Sequence, residues 1–179
     1  MNSKFNKQKS RFLLVSGSSY SLVNFRGPLV QSLISAGLEV HVASPGLHDD
    51  PRTCRQLEAW GVFVHDIPMQ RTGLNPWHDF LTLKSLYLLM RNIRPDVVMG
   101  YTIKPVVYGM LAAWLAKVPQ RYALITGLGY AFAGEARGKR ALVFQLVRRL
   151  YSAALNKVDK VFFQNPDDET LFRQLGILR

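Results

Sequence analysis

The 179-residue sequence predicts an α/β protein built on a Rossmann-like, doubly wound and mostly parallel sheet of about six strands. Three stretches carry that reading. Ala123 to Tyr130 (ALITGLGY) is an apolar run entering a turn with two glycines, Gly127 and Gly129. Such a turn accepts positive φ and brings backbone N–H groups close to a ligand. Upstream, Asp96 to Gly100 reads as a strand, Tyr101 to Pro105 as its loop, and Pro105 suits the first turn of the next helix. Arg11 to Ser16 (RFLLVS) is a third apolar run, ending at Gly17. Successive strand–loop–helix units place ligand groups at the carboxyl ends of parallel strands.

The elements follow in order. Arg11 to Ser16 is strand one, and Gly17-Ser18-Ser19-Tyr20-Ser21 is a small-residue loop before a helix from about Asn24 to Ala36. Gly37 suits the C′ position of that helix. Leu38 to Ala43 is strand two, running into the turn Ser44-Pro45-Gly46. Pro51 to Trp60 reads as a helix stopped by Gly61, and Val62 to Ile67 as strand three. Met69 to Pro76 is a loop carrying Arg71 and Asn75. The helix from about Trp77 to Asn92 is apolar nearly all round, the pattern of a helix between a sheet and a further layer. Strand four follows Arg94-Pro95, and the helix after Pro105 has small residues (Gly109, Ala112, Ala113, Ala116) that permit close packing. Arg121 to Thr126 is strand five, and Gly127 to Gly138 a loop. In the helix from about Lys139 to Asn156, Val143, Val147, Leu150 and Ala154 form one stripe. Lys160 to Gln164 is strand six, and Pro166 to Leu175 a last helix opened by Asn165 with acids in its first turn.

The length suits one domain over residues 1–179, with the polar, basic residues 1–10 expected to be disordered. A formal net charge of +11 points to an anionic partner such as nucleic acid, anionic lipid or a phosphorylated substrate, or else to a solubilising basic surface. Cys54 is the only cysteine, so no intramolecular disulfide can form, which fits a reducing cytoplasm. The first ten residues lack the apolar core of a signal peptide, and no charge-free apolar run reaches the ~18 residues that span a bilayer.

Familiar nucleotide fingerprints fail. Gly17 stands alone where G-x-G-x-x-G is required, and strand two ends in Ser44-Pro45 rather than an acid. The run from Gly134 to Arg140 has one residue too few for a phosphate loop, and Arg140 where Ser or Thr should stand. The four histidines and one cysteine show no metal-ligand spacing, so no metal is expected, and His41 and His65 read as structural residues within strands.

Taken together, five segments resemble the N-terminal half of a family 4 glycosyltransferase with the GT-B fold. They are the Gly17 loop, Arg71 to Pro76 (RTGLNP), Tyr101 to Gly109 (YTIKPVVYG), Ile125 to Tyr130 (ITGLGY) and Phe163 to Asp168 (FQNPDD). The nearest subgroup is the bacterial enzymes that extend undecaprenyl-diphosphate-linked sugars for O-antigen, capsule or glycoprotein glycans. The resemblance implies a retaining enzyme that uses a nucleotide-sugar donor, UDP-linked, without a metal. It implies a lipid-diphosphate-linked acceptor, an anionic membrane surface on the inner face of the cytoplasmic membrane, and no nucleic acid. It also implies a second domain holding the donor. With the chain stopping at Arg179, the expectation is an acceptor domain alone, inactive by itself, as a truncated product or split subunit.

The expected acceptor and phosphate-binding residues are Tyr101, Thr102, Lys104, Thr126, Gly127, Gly129, Tyr130, Arg71 and Asn75. Gly17 and Ser18 are expected to border the donor diphosphate, and no residue is singled out as catalytic. Lys104 is expected to pair with acceptor phosphate, so that its loss would cost activity and leave the melting temperature nearly unchanged. Arg26, Arg71 and Arg137 are further candidates for charge pairing, with solvated surface or loop-bracing roles open for each. Tyr101 and Tyr130 serve equally well as packing residues. A non-catalytic membrane scaffold and a basic nucleic-acid-binding domain remain the alternatives from other classes, although no nucleic-acid motif or clustered aromatic platform is present.

Overall fold

The computed structural model describes residues 9–73, 75–127 and 139–178. Six strands, β1 (Arg11–Val15), β2 (Glu39–Ser44), β3 (Phe63–Asp66), β4 (Val97–Tyr101), β5 (Gln120–Ile125) and β6 (Lys160–Phe163), form one sheet. Its order is β3-β2-β1-β4-β5-β6, and every neighbouring pair is parallel. The chain therefore winds outward from β1 to one edge, returns, and winds from β4 to the other. The switch point lies between β1 and β4, where Val15 pairs with Gly100. β1 is central, which explains why Phe12, Leu13, Leu14 and Val15 form an unbroken apolar run buried on both faces.

The helices are α1 (Ser19–Asn24), α2 (Gly27–Ser35), α3 (Pro51–Ala59), α4 (Pro76–Ile93), α5 (Met110–Leu115), α6 (Lys139–Leu155) and α7 (Pro166–Gln174). Phe12, Leu14, Val40 and Val42 pack with Leu22, Val30 and Leu57 of α1, α2 and α3. Leu13, Val15, Ala43, Val98 and Ala123 pack on the other face with α4, α5, α6 and α7 through Leu86, Met110, Val147 and Phe172. The stripe expected on α6 is seen in part: Val147 and Ala154 are buried, Val143 and Leu150 half-buried, and Tyr151 joins them.

Two local readings need correction. Part of the loop expected over Gly17–Ser21 is the short helix α1, and the helix expected over 24–36 begins only at Gly27, after a break at Phe25–Arg26. Pro28, in the first turn of α2, has no N–H to continue a helix from the preceding turn. The helix after Pro105 begins as a π-helical turn over Pro105–Gly109 before tightening into α5. Such turns often occur at functional sites.

His41 and His65 are paired to each other. His41 Nδ1 lies 3.0 Å from His65 Nε2, and His41 Nε2 lies 3.0 Å from Glu39 Oε1, which also accepts from Arg11 Nε at 2.8 Å. Burial, then His41, pushes the His65 ring from 6.5 down to about 4. The unfolded chain thus binds a proton below pH 6.5 that the folded chain refuses. Stability is full above that value and is lost as the pH falls from 6.5 toward 4. Discounted for the exposed half of the ring, the loss is roughly 1–2 kcal/mol. Thermal melts should show a fall of about 2–8 °C across this window, and His65→Gln should flatten it. An unchanged slope in the variant would assign the acid sensitivity elsewhere. Glu39, held below its usual range first by the hydrogen bond from His41, adds a further loss only below about pH 4.5.

Candidate acceptor cleft

A cleft of about 1220 Å³ opens at the carboxyl edge of the sheet, over the switch point. Each wall comes from an element whose end the sheet fixes. Gly17, Ser18 and Ser21 follow β1; Tyr101, Thr102, Ile103 and Lys104 close β4; Thr126 and Gly127 follow β5; and Gln164 follows β6. The loop after β3 adds Met69, Arg71, Thr72 and Gly73, and the α1–α2 break adds Phe25 and Arg26. Val143 and Val147 of α6 supply apolar wall.

The floor is tightly built. Ser16 Oγ donates to the Ser18 carbonyl at 2.8 Å and lies 3.0 Å from Ser21 Oγ, which is 2.7 Å from the Tyr101 hydroxyl. Tyr101 is almost wholly buried, and burial raises its hydroxyl pKa despite those hydrogen bonds. The β1 and β4 loops touch: a Cβ on Gly17 would sit 2.9 Å from Thr102 Oγ1. Thr102 itself holds φ at 69°, a strained conformation for a β-branched residue. Gly127 holds φ at 139°, which a side chain would strain although the space beside it is open.

Of the residues named from sequence, Gly17, Ser18, Arg71, Tyr101, Thr102, Lys104, Thr126 and Gly127 line this one cleft. Gly129, Tyr130 and Arg137 lie outside the described residues. Asn75 is not among the lining residues. Its side chain accepts from the Trp77 and His78 amides at 3.1 and 3.5 Å, capping α4. Lys104 lines the cleft, but its Nζ donates to Asp79 Oδ1 at 2.6 Å, with the two side chains 10% and 11% exposed. Its charge is compensated by Asp79 in the first turn of α4. Burial, then the nearby Asp79 carboxylate, pushes the Tyr108 hydroxyl pKa up beside this pair. Tyr20, Phe25 and Gln164 were not singled out from sequence. The Gly27-Pro28 helix break was the one signal that could have brought Phe25 to notice.

No acidic residue lines the cleft among the described residues, so Arg26 and Arg71 give it a positive potential. No described group of three or more His, Cys, Asp or Glu residues could hold a metal ion.

Residues 12–165 match the model of the glycosyl transferase 4-like family. The chain belongs to that family. Among curated proteins, it is 30% identical over 170 residues to the N,N'-diacetylbacillosaminyl-diphospho-undecaprenol alpha-1,3-N-acetylgalactosaminyltransferase of Campylobacter jejuni. That match takes in 93% of this chain and 43% of the relative, so the chain spans less than half of the relative's length. Among solved structures, MurG of Acinetobacter baumannii superposes with a TM-score of 0.58 at 17% identity, over 88% of this chain and 41% of MurG. A UDP-N-acetylglucosamine 2-epimerase superposes with a TM-score of 0.62 at 20% identity, over 93% of this chain and 43% of the other. These likenesses show the fold, a Rossmann-like domain of the GT-B type.

Proposed function

We propose that this domain binds the acceptor in a retaining, nucleotide-sugar-dependent glycosyltransferase that extends a lipid-diphosphate-linked glycan in polysaccharide biosynthesis. The observation that carries the reading is the cleft itself, mostly apolar and lined by two arginines and no described acid. An apolar wall with fixed cations suits a prenyl chain joined to a diphosphate. The Campylobacter relative, whose name specifies a diphospho-undecaprenol acceptor, supports that choice. The domain would hold the acceptor so that its hydroxyl attacks the donor's anomeric carbon as the nucleoside diphosphate leaves. A second domain, UDP-sugar-binding, would complete the site, in line with the 43% of the relative that this chain spans.

The test is calorimetric titration with a short-chain prenyl-diphosphate sugar, alongside a turnover assay with UDP-sugars. Saturable binding without turnover is expected. Turnover by this chain alone would overturn the half-enzyme reading, and absence of acceptor binding would overturn the acceptor role.

The same enzyme would work at the inner face of the cytoplasmic membrane as a peripheral protein. Among the described residues no helix is long and apolar enough to cross a membrane. The support is the outer face of α4, where Trp77, Phe80 and Leu88 are exposed by 65%, 53% and 53%, on one stripe with Lys84 and Arg91. Each basic residue near an anionic surface adds roughly 1 kcal/mol, screened by salt. The domain should float with anionic liposomes at low salt and release at high salt, and Trp77→Ser with Phe80→Ser should weaken both. Equal flotation on neutral liposomes would remove the electrostatic part.

A further inference from the structure

Arg26 stands in an unusual position for a cationic side chain. It sits at the α1–α2 break that Pro28 enforces, and its guanidinium lies over the Tyr101 ring at 4.9 Å from the centroid. Tyr101 is itself pinned by the Ser21 hydroxyl at 2.7 Å, so the stacking platform is rigid. No described carboxylate forms an ion pair with Arg26. Its Nε is closed off from solvent and has no acceptor. The polar neighbours of its Nη atoms among the described residues are neutral acceptors at long hydrogen-bond distance. The Phe25 carbonyl lies 3.3 Å from Nη1, and the Gln164 carboxamide oxygen, turned toward the fork, lies 3.3 and 3.2 Å from the two Nη atoms.

A buried N–H without an acceptor costs free energy, and native proteins seldom leave one without a use. The fork of an arginine fits two phosphate oxygens at once, which a lysine cannot reproduce. Of the other cations lining the cleft, Lys104 is already neutralised by Asp79 and Arg71 lies exposed on the loop after β3, whereas Arg26 is half-buried in the wall with no ion-pair partner among the described residues. We propose that Arg26, stacked on Tyr101, is the residue that grips a diphosphate in this cleft, with the Gln164 carboxamide as the neutral acceptor the anion displaces. The inference rests on the acceptor-cleft reading above, and it assigns that site's charge recognition to one side chain. Phe25 and Tyr20, exposed at the same rim with ring centroids 6.0 Å apart, leave the approach to the fork apolar.

The experiment is titration of this chain with inorganic pyrophosphate at low ionic strength, repeated with UDP and with farnesyl diphosphate. Arg26→Gln should weaken pyrophosphate at least ten-fold, the range of a charge-assisted hydrogen bond. Arg26→Lys, which keeps the charge and loses the fork, should recover only part of that. Gln164→Ala should leave affinity equal or stronger. If Arg26 only props Tyr101, both Arg26 variants will melt lower and bind pyrophosphate as the wild type does, which overturns the proposal. So does a lack of saturable pyrophosphate binding by the wild type. An Arg26-dependent loss seen with farnesyl diphosphate and not with UDP identifies the grip with the lipid acceptor, and the reverse identifies it with the donor. Arg26-dependent binding of pyrophosphate, with neither organic diphosphate bound, keeps the grip and overturns the acceptor reading instead.

Discussion

Gly100→Ala should destabilise the domain by about 3 kcal/mol, lowering its melting temperature by roughly 6–12 °C. A Cβ at this position would stand 2.6 Å from the Pro105 carbonyl oxygen and 3.0 Å from its carbon. Neither side can give way cheaply. Gly100 lies in β4 between Val15 and Ala123, so both edges of its backbone are held by parallel neighbours. The Pro105 carbonyl belongs to the π-helical turn, whose Val106 and Val107 are buried in the core. The loop that must move, 101–105, is also the one that lines the cleft, so ligand binding should fall with stability. Gly109→Ala is the control. Its Cβ would meet Val15 at 3.7 Å, ordinary contact, and alanine gains up to ~1 kcal/mol of helix propensity over glycine. A Gly100→Ala protein melting within 2 °C of wild type, a margin of about 1 kcal/mol or less, would show that the π-helical turn yields readily.

The second large effect concerns the Lys104–Asp79 pair. Removing one member leaves the other as an uncompensated buried charge, which costs about 3–5 kcal/mol, whereas replacing both by apolar residues is often close to neutral. Lys104→Met and Asp79→Asn should each lower the melting temperature by roughly 6–20 °C, and Lys104→Met with Asp79→Leu should recover most of it. The two single variants should differ. Asp79 stands in the first turn of α4, where the helix dipole favours an anion. Asp79→Asn should therefore be worse than Lys104→Met by roughly 0.3–1 kcal/mol, because it leaves an ammonium at the positive end of the helix. A Lys104→Met protein with wild-type melting and impaired acceptor binding would restore the phosphate-pairing role expected from sequence.

The sequence places the loop containing Lys104 at the sheet edge, because strand, loop and helix follow one another locally in Val97 to Pro105 and parallel strands share a carboxyl end. The partner of Lys104 lies 25 residues upstream on α4 and is chosen by how that helix packs on the sheet. Asn75 shows the same division differently. Asn-Pro before an apolar helix reads as well as a cap as it does as a polar site residue, and the amides of Trp77 and His78 decide for the cap. His41 and His65 read as structural from their strand context, but their mutual hydrogen bond required the β2–β3 register.

The sequence by itself determined the fold class, the six strands, the positions of their loops and the membership of Gly17, Tyr101, Thr102, Thr126 and Gly127 in one edge of the sheet. These follow from apolar periodicity, turn chemistry and chain order, which are local properties of the residues. Only the tertiary structure decided which charges remain free. Arg26 and Tyr101, far apart in the chain, are stacked because α1 breaks before Pro28 and β4 runs beside β1, while Asp79 neutralises Lys104 where α4 packs on the π-helical turn. Charge compensation falls off with distance in space and is blind to distance in sequence, so it could be read only after the helices had been packed on the sheet.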